Sequence, residues 1–168
     1  VVLAGGVGPE REISNRTGKA LSEALKKNFQ VELIELTEEQ LPTGINPEEC
    51  IVFPAIHGTF GEDGRLQKML EGRGINYSGS DSQSSRLCMD KFESKKAVAK
   101  SGVRVAPDVV FNHPSEVNIP EVLSSLGQDL IIKPTDQGSS VALYVLHGEK
   151  ELRNTLNQID SGNWMVEK

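Results

Sequence analysis

The sequence predicts an α/β chain in two parts, a small parallel sheet followed by an α+β unit. Three observations carry this. Short apolar runs alternate with helical stripes through the first half of the chain. Proline and glycine gather in "SGVRVAP", marking a boundary near residue 103. Beyond it, strand, helix, strand, loop, strand, helix and strand follow in an order that suits an antiparallel sheet backed by helices.

Val1–Ala4 reads as a buried strand ending at Gly5-Gly6. From Pro9 to about Lys27 a helical pattern places Ile13, Thr17, Ala20, Leu21, Ala24 and Leu25 on one stripe. Val31–Leu36 and Cys50–Ala55 are the next strands, and Asp63 to Gly72 a helix with Leu66, Met69 and Leu70 inward. "GINYSGS" is a short strand and turn, and Ser82–Cys88 and Phe92–Lys100 are helices broken near Asp90. Past the boundary come strand Asp108–Phe111, helix Ser115–Leu126, strand Leu130–Lys133, strand Val141–Leu146, helix Gly148–Ile159 and strand Trp164–Lys168. The domains predicted are therefore 1–102 and 103–168, the second unfinished at Lys168. The chain also opens on a strand without a methionine, so residue 1 is read as an arbitrary cut and the chain as a fragment.

Bulk properties narrow the function. The 168 residues are 37% hydrophobic and 25% charged, within the range of a folded soluble protein. No apolar run approaches the roughly 18 residues that span a bilayer. Net charge is −6, from 24 acids against 18 bases, which argues against a nucleic-acid partner. Any phosphate must be held by a local cluster. Cys50 and Cys88 have no metal-ligand spacing and read as reduced thiols of a cytosolic protein.

"LAGGVGPEREIS" invites comparison with a dinucleotide loop. Gly6 and Gly8 supply the first two glycines, and Glu35 sits near the end of the second strand. Arg11 occupies the third glycine position, where helix and strand must pack closely, so the fingerprint fails. Gly8 can instead be an N-cap with Pro9 as the first helical residue, which puts Glu10 and Glu12 in the first turn. Those acids either complement the helix dipole or, at Glu10, hold a cationic ligand group such as an ammonium.

"AIHGTFGEDGRLQ" reaches the same sheet edge. His57 can donate to a carboxylate, Gly58, Gly61 and Gly64 permit close backbone approach, and Glu62 and Asp63 cap the next helix. A structural histidine is the alternative. "IIKPTDQGSSVAL" puts Lys133 at a strand end before a Gly-Ser-Ser loop, a charge plus several donors that suit a polyphosphate. It lacks the order of a P-loop. Lys91 begins a helix, and "WMVEK" ends a strand with Glu167 and Lys168, both otherwise ordinary exposed positions.

Taken in order, "GGVGPEREIS", "IHGTFGEDGRLQKMLE", "YSGSDSQSSRLCMDKFESK", "IIKPTDQGSSV" and "MVEK" resemble the D-alanine–D-alanine ligases of the ATP-grasp superfamily. The resemblance spans the chain but covers only the family's N-terminal domain and part of its central one. It implies a Rossmann-like, pre-ATP-grasp substrate domain followed by an incomplete ATP-grasp subdomain, with the C-terminal domain missing. It implies a cytoplasmic ligase that, with ATP, phosphorylates one D-alanine to an acyl phosphate and lets a second D-alanine attack, for peptidoglycan synthesis and cell-wall biogenesis. By motif, Glu10 would bind the first D-alanine's ammonium and His57 its carboxylate. Ser139 would join Glu10 as a catalytic residue by orienting it, and would contact ATP with Ser140. Lys91 and Lys133 would contact the phosphates, while Glu167 and Lys168 would line the adenine site. Mg2+ would bridge the phosphates on ligands beyond Lys168, with none in this chain, which would be inactive alone. The family also implies a homodimer.

Two positions depart from the family pattern. Gly8 replaces the serine of "GG-x-S-x-E", and "SSVALYV" replaces "SSVGM", a bulkier and stiffer exit from the loop. D-alanine–D-lactate and D-alanine–D-serine ligases fit the same residues, and a noncatalytic nucleotide-binding fragment is the reading from another class. A dinucleotide-dependent oxidoreductase is disfavoured by Arg11.

Overall fold

The computed structural model describes residues 1–168. They divide into two units, Val1–Cys88 and Met89–Lys168. In the first, β1 (Val2–Gly5), β2 (Leu33–Leu36), β3 (Ile51–Pro54) and β4 (Asn76–Tyr77) form one parallel sheet in the order β2-β1-β3-β4. Val2 pairs with Leu33 on one side and Phe53 on the other, so β1 is central and buried on both faces. Leu3 packs with Leu66 and Leu70 of α2 (Arg65–Gly72), whereas Val2 and Ala4 pack against Leu21 and Leu25 of α1 (Arg11–Leu25). Chain order runs from β1 out to β2 and then across to β3. The reversal between β1 and β3 opens a crevice beyond their carboxyl ends, where open α/β sheets bind ligands.

The inward face of α1 differs from the predicted stripe. Ser14, Gly18 and Ser22 are its buried residues, with Thr17, Leu21 and Leu25 half-buried beside them, while Ile13, Ala20 and Ala24 are exposed. A Cβ at Gly18 would collide with that of Ala4, so the helix lies too near β1 for a larger side chain. Small residues bring the helix down onto the strand, and a hydrophobicity pattern cannot register them. The helix also begins later than predicted. Gly8, Pro9 and Glu10 form a turn closed by Arg11 N–H to the Gly8 carbonyl, 3.2 Å, and Glu10 rather than Gly8 is the N-cap. In α2, Met69 is exposed and Gln67 is buried in its place, donating to the Gly61 carbonyl at 2.7 Å.

The second unit opens with α4 (Lys91–Lys100), which follows α3 (Ser82–Met89) and is capped by Asp90, whose carboxylate accepts from Glu93 N–H. Helix α4 groups with the second unit because Lys91 N–H bonds the Thr135 carbonyl and its lysines reach the sheet. The division thus falls well before the boundary predicted near residue 103. Strands β5 (Asp108–Phe111), β6 (Asp129–Pro134), β7 (Tyr144–His147) and β8 (Trp164–Glu167) form an antiparallel sheet in the order β5-β8-β6-β7.

Alternation along these strands sorts the two faces. Phe111, Leu130, Ile132, Leu146 and Val166 form a core with Val122 and Leu126 of α5 (Ile119–Leu126) and Leu152 and Leu156 of α6 (Gly148–Leu156). The opposite face carries Asp108, Lys133, Met165 and Glu167. Helix α5 is shorter than predicted, because Pro114–Glu116 forms a separate 3-10 turn and Asn118 recaps the chain. Strand β7 starts at Tyr144, since residues 139–142 are spent in a turn.

Candidate functional site

In the first unit the glycine-rich turn after β1 carries Glu10 to the start of α1. The loop after β3 meets it. A Cβ at Gly58 would strike the Glu10 carboxylate, and Gly58 has φ +74°, so glycine both admits the acid and allows the turn. Ser14 ties the two strand ends together, accepting from Gly5 N–H at 2.9 Å and donating to the Ala55 carbonyl at 2.6 Å. The near-miss dinucleotide loop is closed by its own residues. Arg11 donates to Glu35 from Nε and Nη2, at 3.1 and 2.8 Å, and Asn15 donates to the same oxygen. The acid that would hold a ribose is thereby taken.

His57 immediately precedes Gly58. Its Nε2 shares a hydrogen bond with Thr17 Oγ1 at 2.9 Å, and its Nδ1 approaches Glu62 Oε1 at 3.2 Å. Glu62 therefore orients the histidine instead of capping α2, whose N-cap is Gly64. Asp63 accepts from Phe60 N–H and Arg65 N–H; burial would raise its carboxyl, but these bonds hold it below the usual range. His57, Glu62, Thr17 and Gln67 line a cavity of about 510 Å3, of which Glu10 is not part. Glu10 reaches this loop at Gly58, the residue after His57. A carboxylate and an imidazole so placed can hold an ammonium and a carboxylate.

In the second unit Lys91 and Lys133 converge. Lys91 Nζ donates to the carbonyls of Thr135 (3.4 Å) and Gln137. Burial, and then the neighbouring Lys133 charge, push the Lys91 ammonium below its ordinary pKa. Two ammoniums held together this way favour an anion between them. Lys133 pairs with Glu167 Oε2, while Lys95 pairs with Glu167 Oε1 (2.7 Å) and with Asp108. Burial would raise the Glu167 carboxyl, yet the bonds and charges of Lys133 and Lys95 hold it lowered. Lys168 is exposed, its N–H on the Pro107 carbonyl at 3.2 Å.

The loop from β6 to β7 turns at Gly138–Val141, closed by Val141 N–H to the Gly138 carbonyl, 3.1 Å. Ser139 and Ser140 have φ +52° and +58°, and Ala142 has φ +53°. Paired positive φ values mark a mirror-image hairpin turn, normally filled by Gly, Asn or Asp. Ala142 stands where the family pattern has glycine, and its left-handed backbone explains why glycine is usual there. Glu10 and Ser139 belong to different units. The Lys95–Asp108 pair was not foreseen; its signal is Lys95 one helical turn after Lys91, on the same face.

A parallel α/β unit with an acid at its switch point, followed by an antiparallel sheet with convergent lysines under a Gly-Ser-Ser turn, is the architecture of ATP-grasp enzymes. Comparison narrows the class. The family model described as "D-ala D-ala ligase N-terminus" matches residues 39–80. The chain is 36% identical over 159 residues to the D-alanine–D-alanine ligase of Clostridium beijerinckii, covering 94% of this chain and 52% of that protein. The crystal structure of the Bacillus anthracis D-alanine–D-alanine ligase complexed with ATP superposes with TM-score 0.84 at 32% identity, over 99% of this chain and 55% of that one. A D-Ala:D-Ser ligase from Enterococcus faecalis matches with TM-score 0.78 at 26% identity, over 99% of this chain and 61% of that one. The chain is thus similar to D-alanine–D-alanine ligases over 94% of its own length, and it spans about half the length of the curated relatives it matches.

Proposed function

We propose that the protein carrying this sequence joins two D-alanines with ATP, through an acyl phosphate, to supply the dipeptide of peptidoglycan. The observation that carries this is the placement of Glu10 against Gly58 at the switch point of the parallel sheet, beside His57. Glu10 binds the ammonium of the first D-alanine and His57 approaches its carboxylate, exchanging Glu62 for the ligand. Orientation of this kind lowers the barrier by holding reacting groups in line. In the second unit, Lys91 and Lys133 neutralise the phosphates as charge moves to the leaving ADP. Ser139 and Ser140 offer hydroxyls on the turn, Ser139 also helping to orient the substrate, and Glu167 and Lys168 border the adenine.

Metal chemistry is not assigned to these residues. No step here passes through Mg2+. The reading includes a cytoplasmic homodimer; no helix is long and apolar enough to cross a membrane. On its own the 168-residue chain is expected to bind without turning over. Ligation to D-serine is the second reading, resting on the weaker match to the Enterococcus faecalis ligase, with 26% identity against 32%.

The test is ADP release by the protein that carries this sequence, followed with D-alanine, D-serine and L-alanine. D-alanine-dependent release with dipeptide formed supports the proposal. Release indifferent to D-alanine, or driven equally by L-alanine, contradicts it.

A further inference from the structure

Lys95 closes the motif "YSGSDSQSSRLCMDKFESK" but has been given no role, yet its side chain is only 15% exposed, against 19% for Lys133. Its position follows from strand register. Asp108 of β5 and Glu167 of β8 are direct cross-strand partners, so their side chains share a face. Two carboxylates opposite one another repel, and both are 14% exposed. Helix α4 answers with Lys95, whose ammonium meets Asp108 Oδ1 and Glu167 Oε1 together. The other Glu167 oxygen takes Lys133. Glu167 is therefore shared by two lysines, only one of which has a proposed ligand.

We infer that Lys95 is a positioning residue of the nucleotide site: by holding Glu167 it leaves Lys133 available to the phosphates. This rests on the reading of Lys133 as a phosphate ligand. Phosphate and Glu167 compete for the same ammonium. With Lys95 in place, Glu167 stays compensated when Lys133 turns to the nucleotide. Without it, Glu167 keeps Lys133 as its only cation, with Asp108 unanswered alongside. Asp108 acts in the opposite sense, because it draws Lys95 away from Glu167.

The two partners of Lys95 therefore give variants of opposite sign. ATP titrated calorimetrically onto the chain should bind about fivefold more weakly to Lys95→Met, in the range of coupling within a charged network. Lys95→Arg should bind as the parent does. Asp108→Asn should bind about twofold more tightly, since Lys95 is then given wholly to Glu167. A purely structural clamp predicts losses in both Lys95→Met and Asp108→Asn, and that result would overturn the inference. Unchanged affinity in Lys95→Met would do the same. If Lys95→Met does not fold by circular dichroism, Asp108→Asn decides alone: unchanged or weaker binding refutes the role. Failure of the parent chain to bind ATP would instead remove the nucleotide reading, and this inference with it.

Discussion

At the scale of single residues, the account rests on groups whose placement depends on neighbours too small to draw notice. Glu10 can sit where it does because Gly58 has no side chain. Glu10→Gln removes the charge proposed to hold an ammonium and keeps the shape, so ligation by the protein that carries this sequence should fall by about 10²-fold or more while ATP still binds. Steady-state turnover beside a nucleotide titration checks this. Ala142 carries a different lesson. Its φ of +53° burdens a residue with a Cβ, by about 1–2 kcal/mol for a left-handed conformation. Ala142→Gly relieves that and loses part of the gain to a more flexible unfolded chain. The net expected is about 0.5 kcal/mol of stabilisation, read as a higher urea midpoint.

At the scale of elements, two contacts set the geometry. Helix α1 meets β1 through Gly18 on Ala4, and competing terms decide what a methyl there would do. Alanine improves helix propensity by about 1 kcal/mol, whereas forcing a methyl into a filled contact costs about 1–3 kcal/mol. Gly18→Ala should therefore destabilise by about 1 kcal/mol, measured by equilibrium denaturation. In the second unit, Glu167 is held below the usual carboxylate range by its two lysines. The stability this contributes is present above its unfolded pKa of about 4.3 and is lost as pH falls through the folded value. Glu167→Gln should flatten the acid limb of a stability–pH profile; an unchanged limb would mean that the pairing contributes nothing.

These same elements show how far the sequence could be read. The apolar strands were legible because burial leaves a mark: Asp108–Phe111 was predicted to the residue. The inward face of α1 was not, because Ser14, Gly18 and Ser22 are selected for size and hydrogen bonding, not hydrophobicity. Lys91 and Lys133 could be picked out by their loop, but Lys95 needed the β5–β8 register, a pairing between strands distant in sequence. The start of β7 was misplaced for a related reason: Val141 and Ala142 read as strand, but the turn takes them first.

At the scale of the molecule, the amino acid is proposed to bind the parallel unit and the nucleotide the antiparallel one. The glycine-rich turn after β1, though it looks like a phosphate loop, then has no part in holding ATP. The most direct test is ATP titrated onto the isotopically labelled chain with backbone amide shifts followed residue by residue. The account predicts that perturbed amides cluster at Lys91, from Lys133 to Ala142, and at Glu167 and Lys168, while Gly5 to Arg11 stay unmoved. Shifts concentrated in Gly5–Arg11, with the second unit silent, would contradict it.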